Sequence, residues 1–450
     1  MSSLPVQPDR FASFAAVAAH LETLGLFRMR PELGRLREVL KILSPSRPTA
    51  VVQIVGTNGK GSTATFLASI AQAHGLRVGL YTSPHFVSFR ERIRLNGMPA
   101  PEEILPQHAN RIMAAGGASL TYFELVTALA ALIFSPDSPT GVDLAVMETG
   151  LGGTWDAVTA LPADVVAYTP IGLDHCAILG NTIASIAEDK AGAIRKGKPV
   201  FSAPQPSAAA HVLTVAAANR NAPLFMTHGS ADLPSAVRKK SSPLGLAGEH
   251  QFVNASLALS AWRSLATEHG WPVSEKKECD GLASAFIPGR LQFIPASARH
   301  KHPALLLDGA HNGHGMACLG GELARQGITP AAVIFSCLED KNPAEMASHL
   351  RVLATGPIFV PPIGHNPRAL PPEKLARIIG LNARPAASMA EALRSAAEHV
   401  TDRLHEEASA YPERHPVLIC GSLYLLGEFF SLRPECLEAP TTKNDNERIV

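Results

Sequence analysis

The chain has 450 residues, is 46% apolar, and sets 40 lysines and arginines against 39 aspartates and glutamates. That length exceeds what one hydrophobic core serves, so two domains or more are expected. The balanced charge speaks against a general nucleic-acid or membrane-surface role, which needs a basic face, and the apolar content speaks against disorder.

The amino terminus, MSSLPVQPDRFASF, has no basic start followed by an apolar run and does not read as a signal peptide. The first expected strand, AVVQIV (50–55), runs directly into GTNGKGST and a helix closed by Gly75. A Walker A loop would need a glycine five residues before Gly59, where Ile54 stands. The context is still that of a phosphate loop, a strand that opens a helix through glycines. Glycines 56, 59 and 61 permit a tight turn whose N–H groups, from Thr57 through Asn58, Gly59, Lys60 and Gly61 to Ser62, can face phosphate oxygens. Lys60 adds a full positive charge, and Ser62 or Thr63 can offer a hydroxyl to a metal ion. The alternative is a glycine-rich turn with one solvated lysine.

Further along, RVGLYT (77–82) leads to Ser83, and SLTYFELVTALAALIF (119–134) reads as a buried helix, since it carries Glu124 and is too short to span a bilayer. DLAVMET (143–149) places Glu148 at the end of an apolar strand, where a carboxylate is costly unless exposed or paired. DVVAYTP (164–170) leads to His175, a helix carries Lys190, and PVFSAP (199–204) is the next strand. Three strand ends can converge on one magnesium–ATP, so Ser83, Glu148 and His175 are candidate metal ligands. Glu148 is the strongest of them, because magnesium prefers oxygen to imidazole. Taken singly, Ser83 also fits a turn residue, His175 a hydrogen-bonded loop histidine, and Lys190 a solvated lysine.

A second set of strands, PALLLDG (303–309), AAVIFSC (331–337), PIFVPP (357–362) and PVLICG (416–421), alternates with helices such as SMAEALRSAAEHV (388–400). The join is expected in PASARHKHP (295–303), dividing the chain into domains 1–298 and 299–435 with a polar tail, 436–450, expected to fray. The fold class is therefore α/β, with two parallel-sheet units whose notable polar residues lie beyond the strands' carboxyl ends, where such sheets bind ligands. Cysteines at 176, 279, 318, 337, 420 and 436 form no C-x-x-C pair and suit neither a zinc cage nor a disulfide framework. A soluble cytoplasmic protein is expected.

The ordered motifs GTNGKGST, GLYTSPHF, FRERIRLNG, TYFE, METGLGG, IGLDH, DKAG, GEHQFVNA, PGRLQF, LDGAHN and GSLYLLGE resemble those of the folylpolyglutamate synthase/dihydrofolate synthase family, within the Mur ligase superfamily. The likeness runs from about residue 20 to 430 and includes the shortened loop G-T-x-G-K-G-[ST]. It implies a P-loop-type ATPase domain followed by a Rossmann-like domain, ATP as cosubstrate, and Mg2+. The implied reaction phosphorylates a substrate carboxylate and lets the amine of L-glutamate displace phosphate. Dihydropteroate, tetrahydrofolate or its glutamylated forms are the implied acceptors, and the implied assembly is a monomer without nucleic-acid or membrane partners.

Carried over by position, the resemblance implies that Thr57 to Ser62, Asn254, Arg290 and Asp308 contact ATP. Ser83, Glu148 and His175 would hold magnesium. Lys190 would be carbamoylated, and Lys60, Lys190 and His311 would serve catalysis. Ser422 resembles part of the glutamate site, and Thr121, Tyr122, Phe123, Glu124, Trp155, Asp156 and Ala157 resemble the pterin-binding elements. Read without the resemblance, Asn254 can cap a helix, Asp308 close a strand, and Arg290 form an ion pair. The family often has GLGGR-x-D-A-T-N where this chain has GLGGTWDAVTA, so Thr154 replaces an arginine beside the implied pterin site. A single-activity folylpolyglutamate synthase, a peptidoglycan-precursor Mur ligase and a non-enzymatic nucleotide-binding regulator are the rival readings.

Overall fold

The computed structural model describes residues 11–25, 30–239, 241–297, 302–364, 366, 368–380, 382–406 and 414–438. Two compact units emerge. The first comprises 1–245 with 249–285, and the second comprises 246–248 with 286–450.

The first unit is built on an eight-stranded sheet. Its strands are β1 (Ala50–Val55), β2 (Val78–Tyr81), β3 (Ile93–Leu95), β4 (Met98–Pro99), β5 (Leu144–Glu148), β6 (Val165–Tyr168), β7 (Val200–Ser202) and β8 (Leu224–Met226). They lie in the order β4-β3-β2-β5-β1-β6-β7-β8. All pairings are parallel except those of β3 with β2 and with β4. The expected strands were legible because central parallel strands are covered on both faces and read as apolar runs; β1 is buried along its whole length. The β3–β4 hairpin and β8 were not anticipated, since they are short and partly exposed.

Helix Lys60–Ala73 packs on this sheet and is covered by helices His250–His269 and Glu275–Ser284. Gly281 allows that approach, because a Cβ there would come within 2.5 Å of the Ile70 Cα. Helix Tyr122–Phe134, the expected buried helix, belongs to another core cluster with Tyr81, Met147 and Val158. Its Leu125, Leu129 and Ile133 are fully buried, each contributing about 1.5–3 kcal/mol by transfer from water. Among the described residues no helix is long and apolar enough to cross a membrane.

The second unit has strands β9 (Gln292–Ile294), β10 (Leu305–Leu307), β11 (Ala332–Phe335), β12 (Ile358–Val360), β13 (Ala383–Pro385) and β14 (Val417–Cys420), ordered β13-β12-β11-β14-β10-β9. Only β9 runs antiparallel. Helices Gly313–Gln326, Pro343–Leu353 and Pro372–Ile379 bury Met316, Leu323, Leu350 and Leu375 with Val333, Phe335 and Leu418 in one cluster. The division between units falls after Ala285, earlier than residue 298, because β9 joins the second sheet by pairing with β10. Of the tail expected to fray, 436–438 are described and 439–450 lie outside the described residues. All six cysteines are free.

In both sheets the strand order reverses at a central strand. Next to β1, the chain leaves toward β2 on one side and toward β6 on the other. Such a switch point leaves a crevice at the carboxyl edge, since the flanking connections diverge.

Candidate active site

The loop after β1 is held by backbone contacts before any ligand is considered. The Thr57 and Asn58 amides donate to the Pro170 carbonyl at 3.1 and 3.4 Å, and the Thr57 hydroxyl donates to Gly172 O at 3.1 Å. Gly56, at φ +146°, lies so close to Thr169 that a Cβ would sit 1.9 Å from its hydroxyl oxygen. Gly59, at φ +90°, is the N-cap of helix Lys60–Ala73, and a Cβ there would meet Asn254 Oδ1 at 2.3 Å. No side chain caps that helix start. Its first amides and dipole are therefore available to an anion, as a phosphate site requires. Lys60 folds back so that its Nζ donates to Thr57 O at 3.0 Å.

Asn254 does not cap its helix. It lies within His250–His269, buried, and its Nδ2 donates to Gln251 Oε1 at 2.9 Å while its Oδ1 faces Gly59. Gln251 was missed in the sequence, although its i, i+3 spacing to Asn254 was a usable signal.

Glu148 ends β5, which lies between β2 and β1, and so its carboxylate is placed beside both neighbouring strand ends. It is only 4% exposed. Its Oε2 accepts from the Ser83 amide at 3.0 Å and is 3.5 Å from where a Cβ on Gly61 would stand. Ser83, Glu148 and Gly61 thus form one cluster, and Ser62, buried, follows Gly61 in the chain. A buried carboxylate at a helix N-terminus suits a hard cation that also binds phosphate. His175 stands in left-handed backbone (φ 51°), half-exposed, with its ring 3.8 Å from Asp174 and its amide donating to Asp174 Oδ1. Among the described residues no three His, Cys, Asp or Glu side chains converge as a metal cluster. A magnesium site here would rest on Glu148, hydroxyls and ligand oxygens.

Lys190 is not a solvated lysine. It is 4% exposed, and its Nζ donates to Gly56 O at 2.8 Å, at the base of the phosphate loop. Burial, followed by the nearby Lys60 charge, lowers its pKa to about 7, against the opposing pull of Asp189, Asp156 and Asp174. The loop 150–157 is strapped to the helix that carries it. The Gly153 amide donates to Asp189 Oδ2 at 2.9 Å, and Thr154 reaches Asp189 O through its amide and its hydroxyl. A Cβ on Gly153 would lie 2.5 Å from the Lys190 carbonyl oxygen. Asp189 was not singled out in the sequence, because its role lies in a contact 36 residues away.

The expected pterin elements divide into two groups. Thr121 and Glu124 form a capping box for helix Tyr122–Phe134, and Glu124 also pairs with Arg35 at 3.1 Å. Asp156 is buried and accepts from the Gly150, Leu151 and Val158 amides at 2.8–2.9 Å; burial nevertheless raises its pKa to about 6. These three residues carry structural bonds. Phe123 lies against Gly150, whose Cβ would meet its ring at 2.7 Å, and Tyr122 is buried beneath the Arg92 guanidinium at 5.2 Å. Ala157 is buried, while Trp155 is 46% exposed.

In the second unit, β10 and β14 are neighbours, so the residues after them meet. Asp308 accepts from the Leu291 amide at 3.0 Å and from Ala310 N at 2.9 Å. Leu291 is held in left-handed backbone (φ 46°), a conformation that costs a non-glycine residue about 1–3 kcal/mol. Arg290 Nη1 would lie 3.2 Å from a Cβ on Gly309. His311 Nδ1 bonds Gly309 O at 2.8 Å, and buried Ser422 caps helix Leu423–Leu432 by accepting from Tyr424 N at 3.1 Å. Arg290, Asp308 and Gly309 therefore form one cluster, with His311 and Ser422 close by in sequence and sheet position.

Residues 289–423 match the family model described as "Mur ligase, glutamate ligase domain". The chain is 33% identical over 434 residues to the dihydrofolate synthase/folylpolyglutamate synthase of Escherichia coli K12, covering 93% of this chain and 94% of that protein. A solved structure of E. coli FolC in complex with DHPP and ADP superposes with a TM-score of 0.78 at 30% identity, covering 95% of this chain and 99% of that one. The Mycobacterium tuberculosis folylpolyglutamate synthase complexed with ADP gives 0.81 at 28% identity, over 96% and 100% of the two chains.

Proposed function

Because the chain belongs to the folylpolyglutamate synthase/dihydrofolate synthase family, we propose a division of labour among its residues for ATP-dependent ligation of L-glutamate. The chain is an ATP-dependent ligase, and the acceptor assigned to it is the carboxylate of dihydropteroate, of reduced folates bearing glutamate, or of both. The observation that carries the residue assignment is the buried Glu148 carboxylate, packed against Gly61 and the Ser83 amide at the start of an uncapped helix.

In this reading the amides from Thr57 to Ser62 and the Lys60 ammonium hold the ATP phosphates, and Asn254 keeps Gly59 in its turn. Glu148, with Ser62 and Ser83 hydroxyls, would hold Mg2+, which when bound neutralises charge on the transferring phosphoryl group. His175 is the least supported ligand, since its ring lies beside Asp174. Attack of the acceptor carboxylate on the γ-phosphorus breaks the bond to ADP and gives an acyl phosphate. The glutamate amine then forms the amide bond and expels phosphate.

Lys190, largely deprotonated above pH 7, has the neutral amine that carbon dioxide requires; the product would be a carbamate anion near the loop. Arg290 is assigned to phosphate charge, Asp308 to the posture of the 289–291 turn and to ATP, His311 to the acyl phosphate, and Ser422 to the glutamate site. Phe123 and the exposed Trp155 offer the aromatic surface a pterin needs, whereas Thr121, Glu124, Asp156 and Ala157 hold the frame around it. The assembly is proposed to be a monomer. Glutamate-dependent ADP release with dihydropteroate and tetrahydrofolate, side by side, tests the acceptor. Turnover with a UDP-sugar peptide and with neither pteroyl compound would overturn it.

A further inference from the structure

Two consecutive residues of helix Ile183–Ala191 hold two different loops. Lys190 takes the phosphate loop, through its Nζ bond to Gly56 O. Asp189 takes the loop that follows Glu148. Its Oδ2 accepts from the Gly153 amide, and its carbonyl oxygen accepts from the Thr154 amide at 2.9 Å and the Thr154 hydroxyl at 2.7 Å. The two anchor points are therefore one peptide unit apart, about 3.8 Å between Cα atoms, a separation that no side-chain rotation can change. The anchor is itself fixed to the sheet. The Tyr168 hydroxyl, at the end of β6, donates to Lys190 O at 2.8 Å, and Ile186, Ala187 and Ala191 share a core cluster with Val55 and Val166.

These contacts leave no slack. A Cβ on Gly152 would stand 2.2 Å from Asp189 Oδ2, and one on Gly192 would stand 2.0 Å from the Thr154 hydroxyl oxygen. Within the loop, Asp156 gathers the Gly150, Leu151 and Val158 amides. The loop is thus stiff in itself, and the bonds to Asp189 set where it sits. Helix stability does not account for Asp189, because it lies in the last turn of its helix, where the dipole disfavours an acid. Its carboxylate is spent on a loop 36 residues away.

We infer that Asp189, together with the Thr154 hydroxyl, is a positioning residue for ligation: it registers the loop 150–157 against the phosphate loop, so that the acceptor carboxylate meets the γ-phosphorus in line. The inference rests on the function proposed above, in which the first loop flanks the acceptor and the second holds ATP. Asp189 acts through the loop and touches neither reactant. The leverage is large, since a misplacement of about 1 Å between reacting groups can cost on the order of 100-fold in rate.

The whole enzyme would be assayed for ADP release at saturating magnesium-ATP and L-glutamate, varying whichever of dihydropteroate and tetrahydrofolate the parent turns over. Asp189→Ala should lower kcat at least tenfold. Its acceptor KM and its calorimetric ADP affinity should stay within about threefold of the parent, because Lys190 still holds Gly56. Asp189→Asn keeps an oxygen for the Gly153 amide and should bring kcat back to within about threefold of the parent. Thr154→Val, which loses only the hydroxyl, should lower kcat about threefold or more, and Thr154→Ser should match the parent. Both positions are half-buried, so each variant should melt within a few degrees of the parent, a check on its fold. A folded Asp189→Ala with the kcat of the parent would overturn the inference. So would Asp189→Asn no faster than Asp189→Ala, a loss confined to KM, or a parallel fall in ADP affinity. If Asp189→Ala does not fold, the Thr154 pair decides, and equal kcat in Thr154→Val and Thr154→Ser overturns it. A parent inactive with both acceptors would instead refute the proposed function itself.

Discussion

Replacement of Lys190 by methionine removes one buried amine while keeping an unbranched side chain one atom shorter. The structure sets the size of the effect. A lysine held at about pKa 7, against 10.5 in the unfolded chain, disfavours its charged form in the fold by roughly 5 kcal/mol. The sign follows from proton counting. Between pH 7 and 10.5 the unfolded chain holds a proton that the native chain has released, so stability rises with pH through this window. For this one group the rise from pH 7 to pH 9 is about 2 kcal/mol. Urea unfolding in carbon-dioxide-free buffer at both pH values, for the parent and Lys190→Met, isolates it. The variant should be the more stable at pH 7, and the gap should narrow by about 2 kcal/mol at pH 9. Bicarbonate should stabilise the parent alone, because only the parent can trap the carbamate. Identical pH dependence in the two proteins would refute the claim that burial holds Lys190 neutral.

Gly59→Ala places a Cβ 2.3 Å from Asn254 Oδ1 at φ +90°; ADP affinity by calorimetry should fall at least tenfold, and an unchanged value would mean the turn is not needed for phosphate. Glu148→Gln should abolish magnesium-dependent ATP turnover yet leave metal-free ADP binding within a few-fold; full turnover would remove Glu148 from the metal site. Asp308→Ala leaves the Leu291 and Ala310 amides without their acceptor, and should cost about 2–4 kcal/mol in urea unfolding. A loss under 0.5 kcal/mol would show that the 289–291 turn holds without it. Thr121→Ala removes one arm of the capping box and should lower stability by about 1 kcal/mol, read as a melting shift with no change in KM for ATP.

The strands and the phosphate loop were readable because their causes are local. AVVQIV is an unbroken apolar run, GTNGKGST has glycines where the backbone turns positive, and a helix follows at once. Glu148 could be flagged as an anomaly in its strand, since a carboxylate there needs a reason. Nothing local distinguished Lys190 from a solvated lysine, Asp189 from an ordinary helix residue, or Asn254 from a cap. The division after Ala285 was not legible for a related cause: β9 is a three-residue edge strand whose identity depends on pairing with β10.

The amino-acid order by itself therefore determined two α/β units, a shortened phosphate loop and a set of polar strand ends. The tertiary structure decided which of them meet. Ser83 and Glu148, 65 residues apart, are joined because β2 and β5 are neighbours, and Lys190 reaches Gly56 across 134 residues. It also decided protonation, since the depressed pKa of Lys190 arises from lost water and from the charge of Lys60. Periodicity and turn chemistry act between neighbours in the chain, whereas burial and charge proximity belong to the packed sheet and exist only once it has formed.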